Sequence, residues 1–261
     1  MIETIEFEMK QLNRKRNIMI YVPDDYKSSN KRYPVMYIHD GQNVFFDDQA
    51  YQGVSWGFLE YVKEHSLDII MVAIPCNFEG HKREDEYGPW IVSEEITLIE
   101  LGEVTKIGGE GDQYIQFIIH ELKPYIDEHY SSDPNDTATV GSSSGGVISA
   151  YAAFKYPEVF SKCAALSSAF WFYEEEFQHL IETMDVTKLG KLYFDLGGNE
   201  GNGNLVITKL YFESNYKIRE LLKKRNVDFI MNYYPNAFHS EAQWRKRVPI
   251  FMKYFYNLEN K

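Results

Sequence analysis

Thr137-Ala138-Thr139-Val140-Gly141-Ser142-Ser143-Ser144-Gly145-Gly146-Val147-Ile148 carries the pattern that decides the fold of this chain. The alternating residues 137–140 read as a strand, and Val147-Ile148-Ser149-Ala150-Tyr151-Ala152-Ala153 reads as a helix. Between them Gly141-Ser142-Ser143-Ser144-Gly145 forms a Gly-x-Ser-x-Gly turn centred on Ser143. A serine at the tip of such a strained strand-to-helix turn presents its hydroxyl outward. The residues two before and two after it then lie close together, which calls for positions without side chains at Gly141 and Gly145. The first N–H groups of the following helix point at the same spot, where negative charge is stabilised.

Outward from this turn, strands and helices alternate. Antiparallel strands are expected over 4–9 and 17–22, followed by a central strand over 35–39 that enters the turn Asp40-Gly41-Gln42-Asn43. A helix is expected over 55–65, and the nearly all-apolar run 68–75 suits a strand covered on both faces. Helical periodicity spans 114–130, strands are expected over 163–166 and 191–196, and a helix over 205–223. The last strand falls over 228–234 and a closing helix over 242–256. This alternation predicts a mainly parallel sheet covered by helices on both faces, with ligands outside the carboxyl ends of its strands. A single domain over 1–261 accounts for the chain, and 76–111 reads as a long loop near the active site.

The 261 residues are 44% hydrophobic and 25% charged, with no internal repeat or low-complexity tract, which is ordinary globular composition. Twenty-seven basic and 39 acidic side chains leave a net charge of −12, which argues against a nucleic-acid or anionic-membrane partner. The N-terminus lacks the basic and apolar regions of a signal peptide, and no apolar run reaches a membrane span. Cys76 and Cys163 each lie beside an apolar run and read as reduced thiols. Together these features predict a cytoplasmic protein. No Cys/His metal spacing occurs, so a metal is not needed.

A serine hydroxyl needs a base within hydrogen-bond reach, and that base needs an orienting acid. At an elbow of this kind the acid and then the histidine follow the serine in the chain. Only His179 and His239 follow Ser143. His179 lies in the acidic helical stretch 174–179, which suits a surface role; His239 follows the last strand in a loop before the closing helix, which suits the base. For the acid, Asp195 lies in the strand 191–196, whereas Glu200 lies on the glycine-rich turn beyond it, from which a carboxylate reaches the histidine. Glu200 is favoured over Asp195. The oxyanion donors expected are the main-chain N–H groups of Ser144 and Gln42. His39 and Asp40 precede the nucleophile and are assigned to scaffold hydrogen bonds. Arg83, Glu84, Asp85, Glu86, Tyr87, Pro89 and Trp90 form either a wall of the substrate pocket or a packed loop. Phe170, Trp171, Phe172 and Tyr173 either line an acyl or aryl pocket or pack down a cap segment.

Four segments carry a resemblance to a known family. They are Tyr33-Pro34-Val35-Met36-Tyr37-Ile38-His39-Asp40-Gly41-Gln42-Asn43, Glu86-Tyr87-Gly88-Pro89-Trp90, the elbow Val140–Gly146, and His239-Ser240-Glu241-Ala242-Gln243-Trp244-Arg245. With them the chain resembles the putative-esterase (esterase D-like) family of α/β-hydrolases, in its siderophore-esterase-like branch. The acid turn departs from the family's common Gly-Thr-x-Glu or Gly-Thr-x-Asp and reads Gly197-Gly198-Asn199-Glu200. The resemblance implies a carboxylic-ester hydrolase with a Ser143–Glu200–His239 triad, an acyl-serine intermediate, a small-molecule ester substrate and no cofactor. Relatives of this kind act on siderophore, feruloyl, acetyl or other acyl esters. Two further readings share the fold: a thioesterase or acyltransferase, and a catalytically silent binding or scaffold protein.

Overall fold

The computed structural model describes residues 1–258. Eight strands form one sheet: β1 (Ile2–Met9), β2 (Arg14–Tyr21), β3 (Tyr33–His39), β4 (Ile70–Ile74), β5 (Ser132–Ser142), β6 (Lys162–Leu166), β7 (Lys191–Asn199) and β8 (Ile230–Phe238). Their spatial order is β1-β2-β4-β3-β5-β6-β7-β8. β1 pairs antiparallel with β2, and β2 with β4; all other pairs are parallel. This is the α/β-hydrolase fold, as the alternation of strand and helix predicts. The crossing from β4 to β3 to β5 puts the carboxyl ends of six parallel strands on one side of the molecule.

Strand alternation divides the core between the two faces. Val35 and Tyr37 of β3 and Ile70, Val72 and Ile74 of β4 face one cluster, with Tyr114, Ile148, Phe154 and Phe177. Met36 and Ile38 of β3 and Met71 and Ala73 of β4 face the other, with Trp56, Phe58, Trp244 and Phe251. Residues of both sets are fully buried, which is why these strands read as continuous apolar runs rather than as alternating ones.

Three differences from the sequence reading have physical causes. Residues 76–111 are not a plain loop, since they hold helices Lys82–Tyr87 and Glu94–Leu101. The segment is pinned from below by charge: the fully buried Glu86 accepts from Arg16 at 2.7 Å and from Arg14 at 2.9 Å, and Arg14 also holds Glu110 at 2.6 Å. Such an ion cluster leaves no trace in hydrophobic periodicity. The closing helix is two pieces, Glu241–Arg245 and Val248–Tyr256, broken where Arg247 turns inward and Pro249 enters the second piece. β7 and β8 run further than expected, to Asn199 and Phe238, and this extension bears directly on the site.

Candidate active site

Ser143 stands at φ 58°, ψ −123°, between the end of β5 and the helix Ser144–Lys155. A non-glycine residue at positive φ is costly and marks a backbone held in place by its surroundings. Its N–H donates to Leu166 O at 2.9 Å, and its carbonyl accepts from Gly146 and Val147 N–H, both at 3.1 Å. A Cβ on Gly141 would lie 2.2 Å from Gly145 O, so that glycine is obligatory. The demand at Gly145 is weaker: its Cβ would meet Asp40 Oδ2 at 3.1 Å.

Glu200 and His239 project from the extended ends of β7 and β8. Their approach requires the two strands to close on each other beyond Gly197. A Cβ on Gly198 would fall 2.1 Å from Pro235 O, and one on Gly197 2.7 Å from Ala237 O. Here a threonine at 198 has no room, which explains the Gly197-Gly198 pair physically. His239 Nδ1 lies 2.7 Å from Glu200 Oε2. An ionised carboxylate only accepts, so Nδ1 carries the proton and Nε2 is left with its lone pair free. Asn202 clamps the histidine main chain from both sides, accepting from His239 N–H at 3.1 Å and donating to its carbonyl at 3.2 Å. Burial pushes the Glu200 carboxyl up, but hydrogen bonds from His239, Ser167 and the Gly197 N–H hold it below its ordinary value.

Behind Glu200 lies a network that sequence patterns did not reveal. Ser167 Oγ donates to Glu200 Oε1 at 2.7 Å and accepts from Trp244 Nε1 at 3.0 Å and Arg247 Nη1 at 2.8 Å. A hydroxyl offers one donor and two acceptor sites, so this one is saturated. Asp195 is fully buried one layer further back. It accepts from Arg247 Nη1 at 2.6 Å, Tyr193 OH at 3.1 Å and Ser167 N–H at 3.2 Å. Burial raises its carboxyl to about 6 against the pull of Arg247. No hydrogen bond joins Asp195 to His239. The Trp244 ring meets His239 edge-on, with centroids 4.9 Å apart.

On the other side of the elbow, Gln42 lies in the turn after β3. Its side chain faces Cys76, accepting from that residue's N–H at 3.1 Å. Its main-chain N–H, like that of Ser144, donates to no acceptor among the described residues. His39 is buried and bonded at both ring nitrogens, to Tyr114 OH at 2.9 Å and Thr139 Oγ1 at 3.0 Å; burial lowers it to about 3, so it stays neutral. Asp40 takes a two-pronged ion pair from Arg83, with both contacts at 2.8 Å. His39 and Asp40 are therefore scaffold.

Ser143 opens onto two cavities. The larger, of about 320 Å³, is lined by Gln42, Tyr51, Phe78, His239, Glu241 and Trp244 among others. The smaller, of about 200 Å³, is lined by His81, Glu84, Glu100, Phe172 and Tyr211 together with Ser143 and Ser144. Arg83 and Glu84 line both, whereas Asp85 bonds Gly108 N–H at 2.9 Å and Trp90 packs on Tyr151 and Phe177. The segment around 83–90 is thus part pocket wall and part packing. Of the aromatic cluster, Phe172 lines the smaller cavity, while Phe170 packs against Phe177 at 4.9 Å. Tyr211 is a site residue with no sequence signal, one of two tyrosines in the helix Leu205–Lys224. Its hydroxyl is 3.4 Å from Ser143 Oγ and its ring centroid 5.2 Å from that of His239. His179 is exposed and lines a separate cavity with Trp90 and Lys155.

The sequence pattern of the family described as "Putative esterase" matches residues 9–252. The chain belongs to this family. It is an enzyme of the esterase class, and its substrate class is small-molecule. Among curated proteins, this esterase is 24% identical over 221 residues to the uncharacterized protein YbbA of Bacillus subtilis (strain 168), covering 80% of this chain and 79% of that protein. Among solved structures, it superposes on an IroE-like serine hydrolase from Shewanella oneidensis with a TM-score of 0.78 at 20% identity, covering 100% of this chain and 82% of the other. A siderophore hydrolase, EstB from Aspergillus nidulans, superposes with a TM-score of 0.74 at 17% identity, covering 99% and 96%. At these identities the likeness to solved structures is one of fold. Among the described residues of the esterase, no helix is long and apolar enough to cross a membrane and no metal-binding cluster occurs. Both cysteines are free and buried, with burial pushing each thiol up.

Proposed function

We propose that this esterase is a serine carboxylic-ester hydrolase that works through an acyl-Ser143 intermediate, with His239 as base and then acid and Glu200 as the orienting carboxylate. The observation that carries the reading is the 2.7 Å His239–Glu200 hydrogen bond on the wall of the cavity onto which the strained Ser143 opens. Ser143 and His239 line the same cavity, and the reading requires the Ser143 hydroxyl to turn from Tyr211 toward His239 Nε2. Catalytic hydrogen bonds of this kind commonly tighten only when substrate is bound.

In the first step Ser143 Oγ attacks the ester carbonyl carbon as its proton passes to His239 Nε2. The oxyanion is held by the free N–H groups of Gln42 and Ser144, donors that need no reorganisation as charge develops. Glu200 stabilises the imidazolium. The C–O bond to the alcohol then breaks, and the alcohol leaves with the proton from Nε2. Water attacks the acyl-serine by the same route, releasing the acid and restoring Ser143. Asp195 is assigned to structure: its oxygens are occupied by Arg247, Tyr193 and Ser167, and it does not touch the histidine.

A fluorophosphonate probe tests this reading. Covalent labelling at the Ser143 peptide, abolished in Ser143→Ala and in His239→Ala, is expected. Labelling elsewhere, or none in the folded wild-type protein, refutes it.

A further inference from the structure

The two cavities at Ser143 have an unbalanced charge. Asp40, Glu84, Glu100 and Glu241 contribute carboxylates to their walls, and Arg83 contributes the one guanidinium; neither wall includes a lysine. Arg83 is committed to Asp40 by two bonds at 2.8 Å and lies 3.3 Å from Glu84. Little of its charge is left for an anionic ligand. Glu241 is the unexplained member. It is 5% exposed and forms part of the larger cavity's wall. Apart from its own main-chain N–H, its carboxyl has one long contact among the described residues, Oε1 at 3.5 Å from Asn43 Nδ2, and its Oε2 has no hydrogen-bond partner in another described residue. A buried carboxylate oxygen without a donor is costly, and native structures rarely leave one unpaired without a functional cause. Burial and the nearby Asp40 push the Glu241 carboxyl up, while its own main-chain N–H, His239 and Arg83 pull it back.

The same cavity has aromatic walls that packing does not account for. Tyr51 and Phe78 are 73% and 61% exposed, and they stack at 6.5 Å with their planes 14° apart beside Trp244. Aromatic faces beside carboxylates form an environment that attracts an ammonium group through the ring quadrupole as well as through charge.

Resting on the esterase reading above, we propose that the preferred substrate is an ester that carries a cationic ammonium group close to the scissile bond. Glu241, with Glu84, is the specificity-determining carboxylate, and esters with an anionic group are selected against.

Cationic and neutral esters matched in shape, with a smaller anionic ester as a third arm, test this, each kcat/KM being referred to that ester's own rate of alkaline hydrolysis. On the alcohol side they are butyrylcholine, its uncharged isostere 3,3-dimethylbutyl butyrate, and the butyrate ester of glycolate. On the acyl side they are the ethyl ester of 4-trimethylammoniobutyrate and ethyl 5,5-dimethylhexanoate. In at least one series kcat/KM for the cationic ester exceeds that of the neutral one by about tenfold, a difference of about 1.4 kcal/mol. The glycolate ester is the poorest substrate. The cationic preference weakens as salt rises, since it is electrostatic. Glu241→Gln lowers the cationic-to-neutral ratio severalfold. Glu84→Gln, at a partly exposed site, provides the same readout if Glu241→Gln does not fold. Equal rates on cationic and neutral esters in both series, or a preference for the anionic one, overturn the substrate proposal and leave the esterase reading standing, provided p-nitrophenyl butyrate is hydrolysed and Ser143 is labelled. Inactivity toward every ester together with no label refutes both.

Discussion

Asp195 and Glu200 are two buried acids near one histidine, and the structure predicts opposite consequences for their loss. In Asp195→Asn, the Arg247 guanidinium loses its ion partner at 2.6 Å. Arg247 is 2% exposed, and among the described residues its Nη2 has no hydrogen-bond partner. What remains to it is Ser167 Oγ at 2.8 Å, the face of Tyr234 at 4.9 Å and the uncharged amide oxygen that replaces the carboxylate. Burial already disfavours the Asp195 charge, so its loss costs less than the roughly 3–5 kcal/mol of removing one partner of a buried pair outright. For a chain of this size each kcal/mol corresponds to roughly 2–4 °C, so Tm falls by less than about 10 °C. The folded fraction keeps kcat within about tenfold, because no bond from Asp195 reaches His239. In Glu200→Gln the amide oxygen still accepts from Ser167 and Gly197, so stability falls by only about 1–2 kcal/mol. The amide cannot stabilise the imidazolium or enforce the Nδ1–H tautomer, and kcat falls by about 10³–10⁴. Thermal unfolding by circular dichroism and steady-state hydrolysis of p-nitrophenyl butyrate, run on the same preparations, measure both quantities. A folded Asp195→Asn variant with a thousandfold loss in kcat, or a Glu200→Gln variant of near-normal activity, refutes the assignment.

Ser167→Ala deprives Trp244 Nε1 and Arg247 Nη1 of a shared acceptor and Glu200 of a donor. We expect a loss of about 2–4 kcal/mol in chemical denaturation and about a tenfold drop in kcat, since two other bonds still hold the carboxylate. The Glu200 shift has a definite pH sign. Its carboxyl is held below the ordinary value of 4.5, so its stabilisation is full above that value and is lost as pH falls through the native pKa. The stability gap between wild type and Glu200→Gln therefore narrows on acidification below about pH 4.5, measured by urea titrations across pH. Gln42→Ala lowers kcat by about tenfold or less, because the side chain faces Cys76, whereas Gln42→Pro removes the main-chain donor and costs a hundredfold or more in protein shown to be folded. His239→Ala is nearly as damaging as Ser143→Ala and the double variant little worse than either, while His179→Ala is close to neutral; single and double variants assayed together check this non-additivity.

The alternation of apolar strands with helical periods, and the glycines of the elbow, made the α/β-hydrolase fold legible, because both features are local. The proposed triad of Ser143, Glu200 and His239 rests on equally local cues, since each lies at a turn that follows a strand. What escaped the sequence is non-local. Ser167, Arg247 and Asp195 come together from the residue after β6, the chain between the two closing helices, and β7, and no periodicity reports such a meeting. Tyr211 faces Ser143 from a helix whose pattern records only which side is buried. The folded character of 76–111 depends on Glu86, whose buried charge reads in sequence as a surface residue. The Gly197-Gly198 departure became interpretable only once Pro235 O and Ala237 O were seen against those positions.

The proposed mechanism stands or falls on an acyl group carried by Ser143. Rapid mixing with p-nitrophenyl acetate, followed by acid quench and peptide mass analysis, tests it most directly. That mechanism predicts a burst of up to one equivalent of p-nitrophenol per folded chain wherever deacylation is the slower step. It also predicts an acetyl group on the Ser143 peptide, with both signals absent in Ser143→Ala. Steady turnover by Ser143→Ala, or an acetyl group on Ser142, Ser144 or another residue with Ser143 unmodified, would contradict it.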